Sequence, residues 1–349
     1  MRGPQAPEGG YPRAVSLYDR IADLDLTVDG YDLERREVSV SSGFTRVTTT
    51  VVMHGAGVRG EGEDVTYTAD DHAGFPRTVP VAGVASPREL AAVLDGHRLF
   101  ADEPAMHASH DYRRWAFESA ALDLALRQAG VSLAAAVDRP ARPVRFVVST
   151  RGDVAAWLAV DPAIELKLDP EASWDTDRIA RLTATGRVRV LDLKGYYRGT
   201  VVDLEPDPRL YRALAEAFPE AVIEDAAVEG ECGEALRGEE GRLSFDAPVH
   251  SLADLEALPV APGWLNVKPS RFGSLERLLE CIEACEARGI RMYGGGQFEL
   301  GPGRRQIQAL ASVFYPDGPN DVAPGVYNEG DPRAGLPRSP LPAADAIGF

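Results

Sequence analysis

The sequence predicts an α/β protein in which an α+β domain precedes a TIM-type parallel barrel. Three observations carry this reading. From about residue 140 to 325, short apolar runs alternate with amphipathic helical patterns, about eight βα units in under two hundred residues, a density that suits a closed barrel better than an open sheet. Before residue 140 the apolar spacing changes to strict alternation, the mark of half-buried antiparallel strands. The third is a set of acidic residues and lysines that recurs at the ends of successive barrel strands.

In chain order, REVSVSS, TRVTTTVVMHG and VRGEGEDVTY alternate apolar and polar residues as antiparallel strands do, and SPRELAAVLDG and DYRRWAFESAALDLALRQAG are amphipathic helices. These make up an α+β domain over residues 1–139, ending near ARPVR. The barrel follows over 140–325, with strands expected at 144–149, 164–168, 188–193, 221–225, 243–247, 264–268 and 290–295 and a weak eighth near Asn320 to Ala323. The helices between them include TDRIARLTATG, PRLYRALAEAF, SLADLEAL, SLERLLECIEACEARG and RRQIQALASVF, several opened by Ser, Thr or Asp caps and two closed by Gly. Residues 326–349, rich in Pro and Gly and without periodicity, are expected to pack back on the first domain as extended chain.

Composition narrows the functional classes. The 349 residues are 44% hydrophobic and 26% charged, as in a folded globular chain. A net charge of −17 and the lack of a basic stripe argue against nucleic acid and anionic membrane surfaces as partners. The first residues carry no apolar leader and no run of about 18 apolar residues occurs, so the expected location is the cytoplasm. Cys232, Cys281 and Cys285 are too few for a disulfide framework and read as buried thiols. The six histidines show no metal-ligand spacing, and His107 and His110 read as surface or capping residues. The glycines of GVRGEGED and GGGQFELGPG lack a P-loop lysine and read as tight turns.

Only three of the 37 basic residues are lysine: Lys167, Lys194 and Lys268. Arginine clamps anions but stays protonated, whereas a lysine can take and return a proton. All three fall at strand ends, the face of a parallel barrel that carries chemistry. In order, that face receives Lys167, Asp192 with Lys194, Glu224 with Asp225, Asp246, Lys268, and then Gln297 and Glu299. From Lys167 through Asp192, Glu224 and Asp246 to Lys268 the separations are 25, 32, 22 and 22 residues, each about one βα unit. Three carboxylates from successive strands suit a hard cation such as Mg²⁺, or Mn²⁺, completed by water and substrate oxygens. Lysines on either side of such an ion can exchange the proton of a carbon next to a carboxylate, an acid so weak that its enolate needs the ion's charge.

These residues resemble the enolase superfamily, most closely its muconate-lactonizing-enzyme-like subgroup of o-succinylbenzoate synthases, N-acylamino acid racemases and dipeptide epimerases, with mandelate racemase as a more distant relative. The resemblance rests on TTTVVMHGAGVRGEGED, similar to the capping-domain hairpin, on RRWAFESAALDLALRQAG, similar to the helix before the barrel, on NVKPSRFGSLERLLECIEACEARGI, similar to the sixth strand with its lysine, and on YGGGQFELGPGRRQIQALA, similar to the Gly-Gly-Met-Leu-Glu stretch. It implies a modified (β/α)7β barrel beneath a capping domain, a Mg²⁺ held by Asp192, Glu224 and Asp246, and Lys167 and Lys268 as acid and base. Lys194 joins them as a candidate catalytic residue. The resemblance also implies Glu299, Gln297 and Arg46 at the substrate, lid loops near Ser41 to Arg46 and Thr66 to Phe75, a small carboxylate substrate and a homo-oligomer. The activity implied is an isomerase or lyase that abstracts a proton alpha to a carboxylate and then racemises, epimerises, cycloisomerises or dehydrates.

The chain departs from that pattern at three places. Glu165 stands where the subgroup has the first lysine of Lys-x-Lys, Ala247 and Pro248 follow Asp246 where Glu-Ser is common, and Leu193 and Lys194 follow Asp192 where Ala-Asn is usual. Residues i and i+2 of a strand face the same way, which directs Lys194 toward the interior that Asp192 occupies. An ammonium about 4 Å from a unit positive charge costs roughly 4 kcal/mol at an effective dielectric near 20, and a dication costs more. Lys194 therefore pairs with a carboxylate such as Asp225, or contacts a substrate anion, or alters the metal site. The last option opens an alternative, a metal-free or non-catalytic barrel in which Lys194 neutralises the carboxylates. A lysine Schiff base is a third. NDVAPGVYN lacks the Asp-x-Asp that dipeptide epimerases of this subgroup use to hold an amine, which favours N-acyl amino acid or o-succinylbenzoate-like substrates.

Overall fold

The computed structural model describes residues 15–39, 44–75, 78–199, 204–328 and 332–349. Part of the expected lid loop, residues 41–43, lies outside the described residues. A four-residue helix α1 (Asp19–Ala22) leads into a three-stranded antiparallel sheet, β1 (Gly30–Ser39), β2 (Thr45–Gly55) and β3 (Val58–Asp64). β2 and β3 join through Ala56 and Gly57, both at positive φ (51° and 76°), the primed two-residue turn whose twist matches a hairpin. Two helices cover the sheet, α2 (Pro87–Asp95) and α3 (Ser109–Ala129). Ser86 caps α2 by accepting the Glu89 N–H at 3.1 Å, while the Glu89 carboxylate returns to the Ala85 N–H at 2.8 Å.

After the short α4 (Leu133–Ala136), the barrel strands are β4 (Val148–Thr150), β5 (Leu166–Leu168), β6 (Val188–Asp192), β7 (Val222–Glu224), β8 (Leu243–Phe245), β9 (Trp264–Val267) and β10 (Arg291–Gly294). They form one parallel sheet in sequential order. The helices that follow them are α5 (Val154–Val160), α6 (Thr176–Ala184), α7 (Pro208–Ala217), α8 (Gly230–Ala235), α9 (Leu252–Glu256), α10 (Pro269–Phe272), α11 (Leu275–Arg288) and α12 (Pro302–Phe314). Asp153, Asp175, Asp207, Ser251 and Ser274 cap five of them through side-chain oxygens, and Gly289 closes α11 in the left-handed conformation. The expected eighth strand is reduced to a closure point. Asn320 forms a parallel bridge to Phe146, and the Asp321 N–H donates to the Gly294 carbonyl at 2.7 Å, so this stretch links both edges of the sheet. No helix among the described residues is long and apolar enough to cross a membrane.

Period-two alternation sorts the barrel side chains. Leu166, Leu168, Leu191, Ile223, Leu243, Phe245, Leu265 and Val267 point outward into the main core beneath the helices. The alternate positions point inward: Val190, Val222 and Tyr293 form a small apolar layer of their own, packed against Trp264. One step further along the same inward rows come Asp192 after Val190, Glu224 after Val222, Asp246 after Ser244, and Lys268 after Asn266. Alternation thus carries the polar ring to the C-terminal mouth.

The sheet domain sits on the barrel through α3. Its Ala116, Phe117, Ala120 and Leu124 belong to the sheet-domain core, whereas Trp115, Leu122 and Leu126 belong to the barrel core. The C-terminal tail bridges antiparallel to Val144 at Leu341 and ends with Phe349, whose ring packs edge-on to Trp115 and whose N–H donates to Asp123 at 2.7 Å.

Candidate active site

Three buried cations and the half-buried Lys194 meet four buried carboxylates at the barrel mouth. Lys167 Nζ on β5 donates to both Glu224 oxygens at 2.7 Å, and lies 3.2 Å from Asp192 and 3.5 Å from Asp321. Lys194 Nζ bonds Asp192 Oδ2, lies 3.7 Å from Asp169 Oδ1, and sits 5.1 Å above the centroid of the Tyr197 ring. Lys268 Nζ donates to Asp246 Oδ2 at 2.7 Å. The guanidinium of Arg271 pairs with the same carboxylate, Nε at 3.1 Å from Oδ1 and Nη2 at 3.3 Å from Oδ2, and donates to the Tyr197 hydroxyl at 3.0 Å.

These contacts polarise the groups. Burial works to lower the Lys167 ammonium, but Glu224, Asp192 and Asp321 outweigh it and hold its pKa well above the usual lysine value. For Asp246, burial pushes upward and is overcome by Arg271 and Lys268, which hold it at about 2. Asp225 has no such cation. Burial and the neighbouring Asp246, Asp192 and Glu224 push it up to about 8.

The structure changes the expected assignments in three ways. Lys194 pairs with Asp192 rather than Asp225, and strand alternation is not what places it: β6 ends at Asp192, and Lys194 turns back at a φ of 55°. Among the described residues, Asp192, Glu224 and Asp225 form an acidic group in which one ligand oxygen from each lies within 4.8 Å of the others. Asp246, expected as the third ligand, is ion-paired with Lys268 and Arg271. Asp225 also has positive φ (51°) and accepts the N–H groups of Asp246 (2.8 Å) and Ala247 (3.1 Å). Arg46, expected at the substrate, spends its guanidinium on backbone carbonyls. It donates to Thr66 at 2.7 Å, Val65 at 2.5 Å, Gln297 at 2.9 Å and Phe298 at 3.4 Å, tying the sheet domain to the loop after β10.

Gln297 and Glu299 lie together in that loop. The Gln297 N–H donates to Glu299 at 2.6 Å, its side-chain oxygen accepts from Tyr67 at 2.8 Å, and its amide donates to Tyr112 at 3.3 Å. A Cβ on Gly295 would lie 2.4 Å from Asn266 Oδ1 and 2.8 Å from Lys268 Cε, so only glycine lets the loop pass this close to the lysine.

Several site residues escaped the sequence reading. Asn266, which donates to Glu224 at 3.0 Å, is two residues before Lys268 and shares its inward row, a signal that was available. Tyr293, which donates to Glu224 at 2.6 Å, follows the same rule on β10. Arg271, Tyr197 and Asp321 lie beyond strand ends, where no period applies. Away from the barrel, the structure gathers Glu103 with His107 and His110, and His110 Nε2 lies 3.0 Å from Glu103 on a solvated face.

The residues present fit a hard divalent cation by donor type. Asp192, Glu224 and Asp225 supply only carboxylate oxygens, and Asn266, whose amide donates to Glu224, has its Oδ1 buried without a hydrogen-bond partner.

Comparison with known proteins places this architecture. Residues 19–136 match the N-terminal and 140–329 the C-terminal domain of a family described as a domain of unknown function, DUF8230. The chain belongs to the DUF8230 family. Its fold is that of the enolase superfamily: a member of that superfamily from Listeria innocua superimposes with a TM-score of 0.63 at 17% identity, over 86% of each chain. A dipeptide epimerase from Methylococcus capsulatus, complexed with Mg ion, superimposes with a TM-score of 0.67 at 18% identity over 93% of this chain and 99% of its own. In sequence, this DUF8230 chain is 27% identical over 235 residues to an N-succinylamino acid racemase of an Amycolatopsis species, covering 64% of this chain and 61% of the racemase, less than two thirds of its length.

Proposed function

We propose that this protein is an enzyme that exchanges the proton on a carbon alpha to a carboxylate, and that its outcome is racemisation or epimerisation of an N-acylated amino acid. One observation carries the reading: Lys167 on β5 and Lys268 after β9 flank a wall of buried carboxylates from the three strands between them. The partial likeness to an N-succinylamino acid racemase supports the substrate class. A divalent cation bound by Asp192 and Glu224 with Asp225 or Asp246 would supply Lewis-acid stabilisation of the enolate charge.

The chain's own residues do the rest. Glu224 and Asp192 hold Lys167 as an ammonium, the form that returns a proton to carbon. Lys268 approaches from the opposite side of the ring, so the two lysines serve opposite faces of the substrate carbon and exchange roles with its configuration. Asp246, itself paired with Arg271, positions Lys268 Nζ, which takes the proton as the neutral amine, and Gly295 leaves the space beside it. Gln297, held between Tyr67 and Tyr112, forms the seam with the sheet domain that excludes water.

The test is deuterium uptake at the alpha carbon, read by NMR in D₂O with N-succinyl amino acids, N-acetyl amino acids and dipeptides. The wild type should exchange the alpha proton of an N-acylated substrate. Lys268→Ala should lose that exchange by about 10²-fold or more while remaining folded, and Lys167→Ala should lose it as well. Exchange that persists in both variants would sink the proposal.

A second reading has one observation in its favour, the seat of Lys194 on Asp192. In it the barrel binds a ligand without a metal and without turnover, the ammonium standing in for the ion. Lack of Mg²⁺ binding together with lack of deuterium exchange would favour it.

A further inference from the structure

Lys194 differs from the other two mouth lysines in how it is held. Lys167 within β5 and Lys268 just past β9 project inward along strand rows, and all three ammonium groups hydrogen-bond a carboxylate. Lys194 lies outside β6 on a left-handed turn, and its side chain is 15% exposed against 3% for Lys167 and 10% for Lys268. Two carboxylates stand within its reach. It bonds Oδ2 of Asp192, a residue of the acidic group, and lies 3.7 Å from Asp169 Oδ1. Asp169 is itself anchored from the other side, where Arg151 donates to its Oδ2 at 2.9 Å. The Tyr197 ring beneath the ammonium favours a cation without fixing it to either acid.

We propose that Lys194 is a two-seat counter-ion: on Asp192 it occupies the position a divalent cation needs, and by shifting to Asp169 it releases that position. The inference rests on the carboxylate cluster being a cation site, as in the reading above, and adds a control on its loading. An ammonium and a dication on Asp192 repel strongly in so buried a place, and Lys167, 3.2 Å from the same oxygen, adds to that repulsion whichever seat Lys194 takes. Cation binding and the Lys194 shift are therefore one coupled event, and the affinity of the site is set by the difference between its two seats. The flexible four-carbon stem of lysine suits the exchange, and the exposed side of the residue leaves room for it. The consequence is a site that loads only at higher free Mg²⁺ than its carboxylates alone would require.

The experiment is a calorimetric titration of the full chain with Mg²⁺ alone, comparing wild type, Lys194→Met and Asp169→Asn. Removing the competing ammonium should tighten binding on the order of tenfold or more. Removing the alternative seat should weaken it by a similar factor, because Lys194 then has no partner to receive it. Lys194→Gln, with the melting temperature of each variant, separates the effect from a failure to fold. Equal affinity in the wild type and both Lys194 variants overturns the proposal while leaving the cation site intact. Unchanged affinity in Asp169→Asn overturns the second seat. No Mg²⁺ binding in any variant overturns both the switch and the cation site, and the deuterium-exchange assay then reports independently whether the lysines still do chemistry.

Discussion

His72 lies inside the sheet domain, 6% exposed, between the Thr49 hydroxyl at 2.9 Å from Nδ1 and the Thr66 carbonyl at 2.8 Å from Nε2. A carbonyl can only accept, so Nε2 carries the hydrogen, and burial favours the neutral ring, in which Nδ1 accepts from the Thr49 hydroxyl. Burial lowers its pKa below the usual 6.5, with Asp64 opposing and Arg113 assisting. In the unfolded chain the ring gains a proton near pH 6.5, whereas the folded chain resists it to lower pH. The stabilisation is therefore complete above pH 6.5 and is lost as the pH falls from there toward the folded pKa. Urea midpoints at pH 7.5 and pH 5.5 should show a larger acid loss for the wild type than for His72→Gln, up to about 1.4 kcal/mol per pH unit inside that window. Parallel losses in the two proteins would contradict this.

Between residues and whole domains, β3 shows how one strand serves two partners. Its alternation puts Gly60, Gly62 and Asp64 toward α3, where Asp64 pairs with Arg113 at 2.8 Å. Glu63 points the other way and accepts N–H groups of Leu300, Gly301 and Gly303 at 2.7 to 3.0 Å, a carboxylate set at the start of α12 where the helix dipole favours it. The glycines are required by contact. A Cβ on Gly62 would lie 2.1 Å from the Ala116 carbonyl oxygen, and one on Gly60 would lie 2.3 Å from the Leu124 nitrogen, both backbone atoms of α3 that cannot give way. Gly62→Ala should cost roughly 3 kcal/mol, seen as a lower urea midpoint. Gly57→Ala, in the open turn between β2 and β3, meets no atom but has a φ of 76° and should cost less, on the order of 1 kcal/mol. Equal costs at the two sites would refute the close-packing account.

Across the whole molecule the two cores are welded rather than hinged at α3. Arg46 and Glu63 add polar stitches at the mouth, and Phe349 adds an apolar one at the far side, where its carbonyl accepts from Arg305 at 2.9 Å and its ring meets Trp115. Phe349 is 3% exposed and touches both the sheet-domain helix and the last barrel helix. Phe349→Ala should therefore destabilise by about 3 to 5 kcal/mol and do so in one cooperative transition rather than two. A biphasic melt of the wild type would show instead that the domains unfold independently.

How much of this was legible in one sequence depends on the range of the forces involved. Periodicity is local. The change from period two to alternating βα units announced an α+β domain and a parallel barrel, and the inward rows of β5 to β9 carried Lys167, Asp192, Glu224, Asp246 and Lys268 to a single mouth. Which carboxylate stands beside which cation is not local. Lys194 and Asp225 leave their strands through left-handed turns, so no alternation rule applies to them, and Arg271 reaches Asp246 from a helix that no strand pattern contains. Arg46 reads in sequence like an anion-binding residue, yet four carbonyls from two distant loops claim it. The sequence by itself determined the barrel, the cap and the ring of polar residues, because these follow from the periods of strand and helix. Only the tertiary structure decided the pairing within that ring, because in a buried cluster the energy of each charge is set by neighbours tens of residues away.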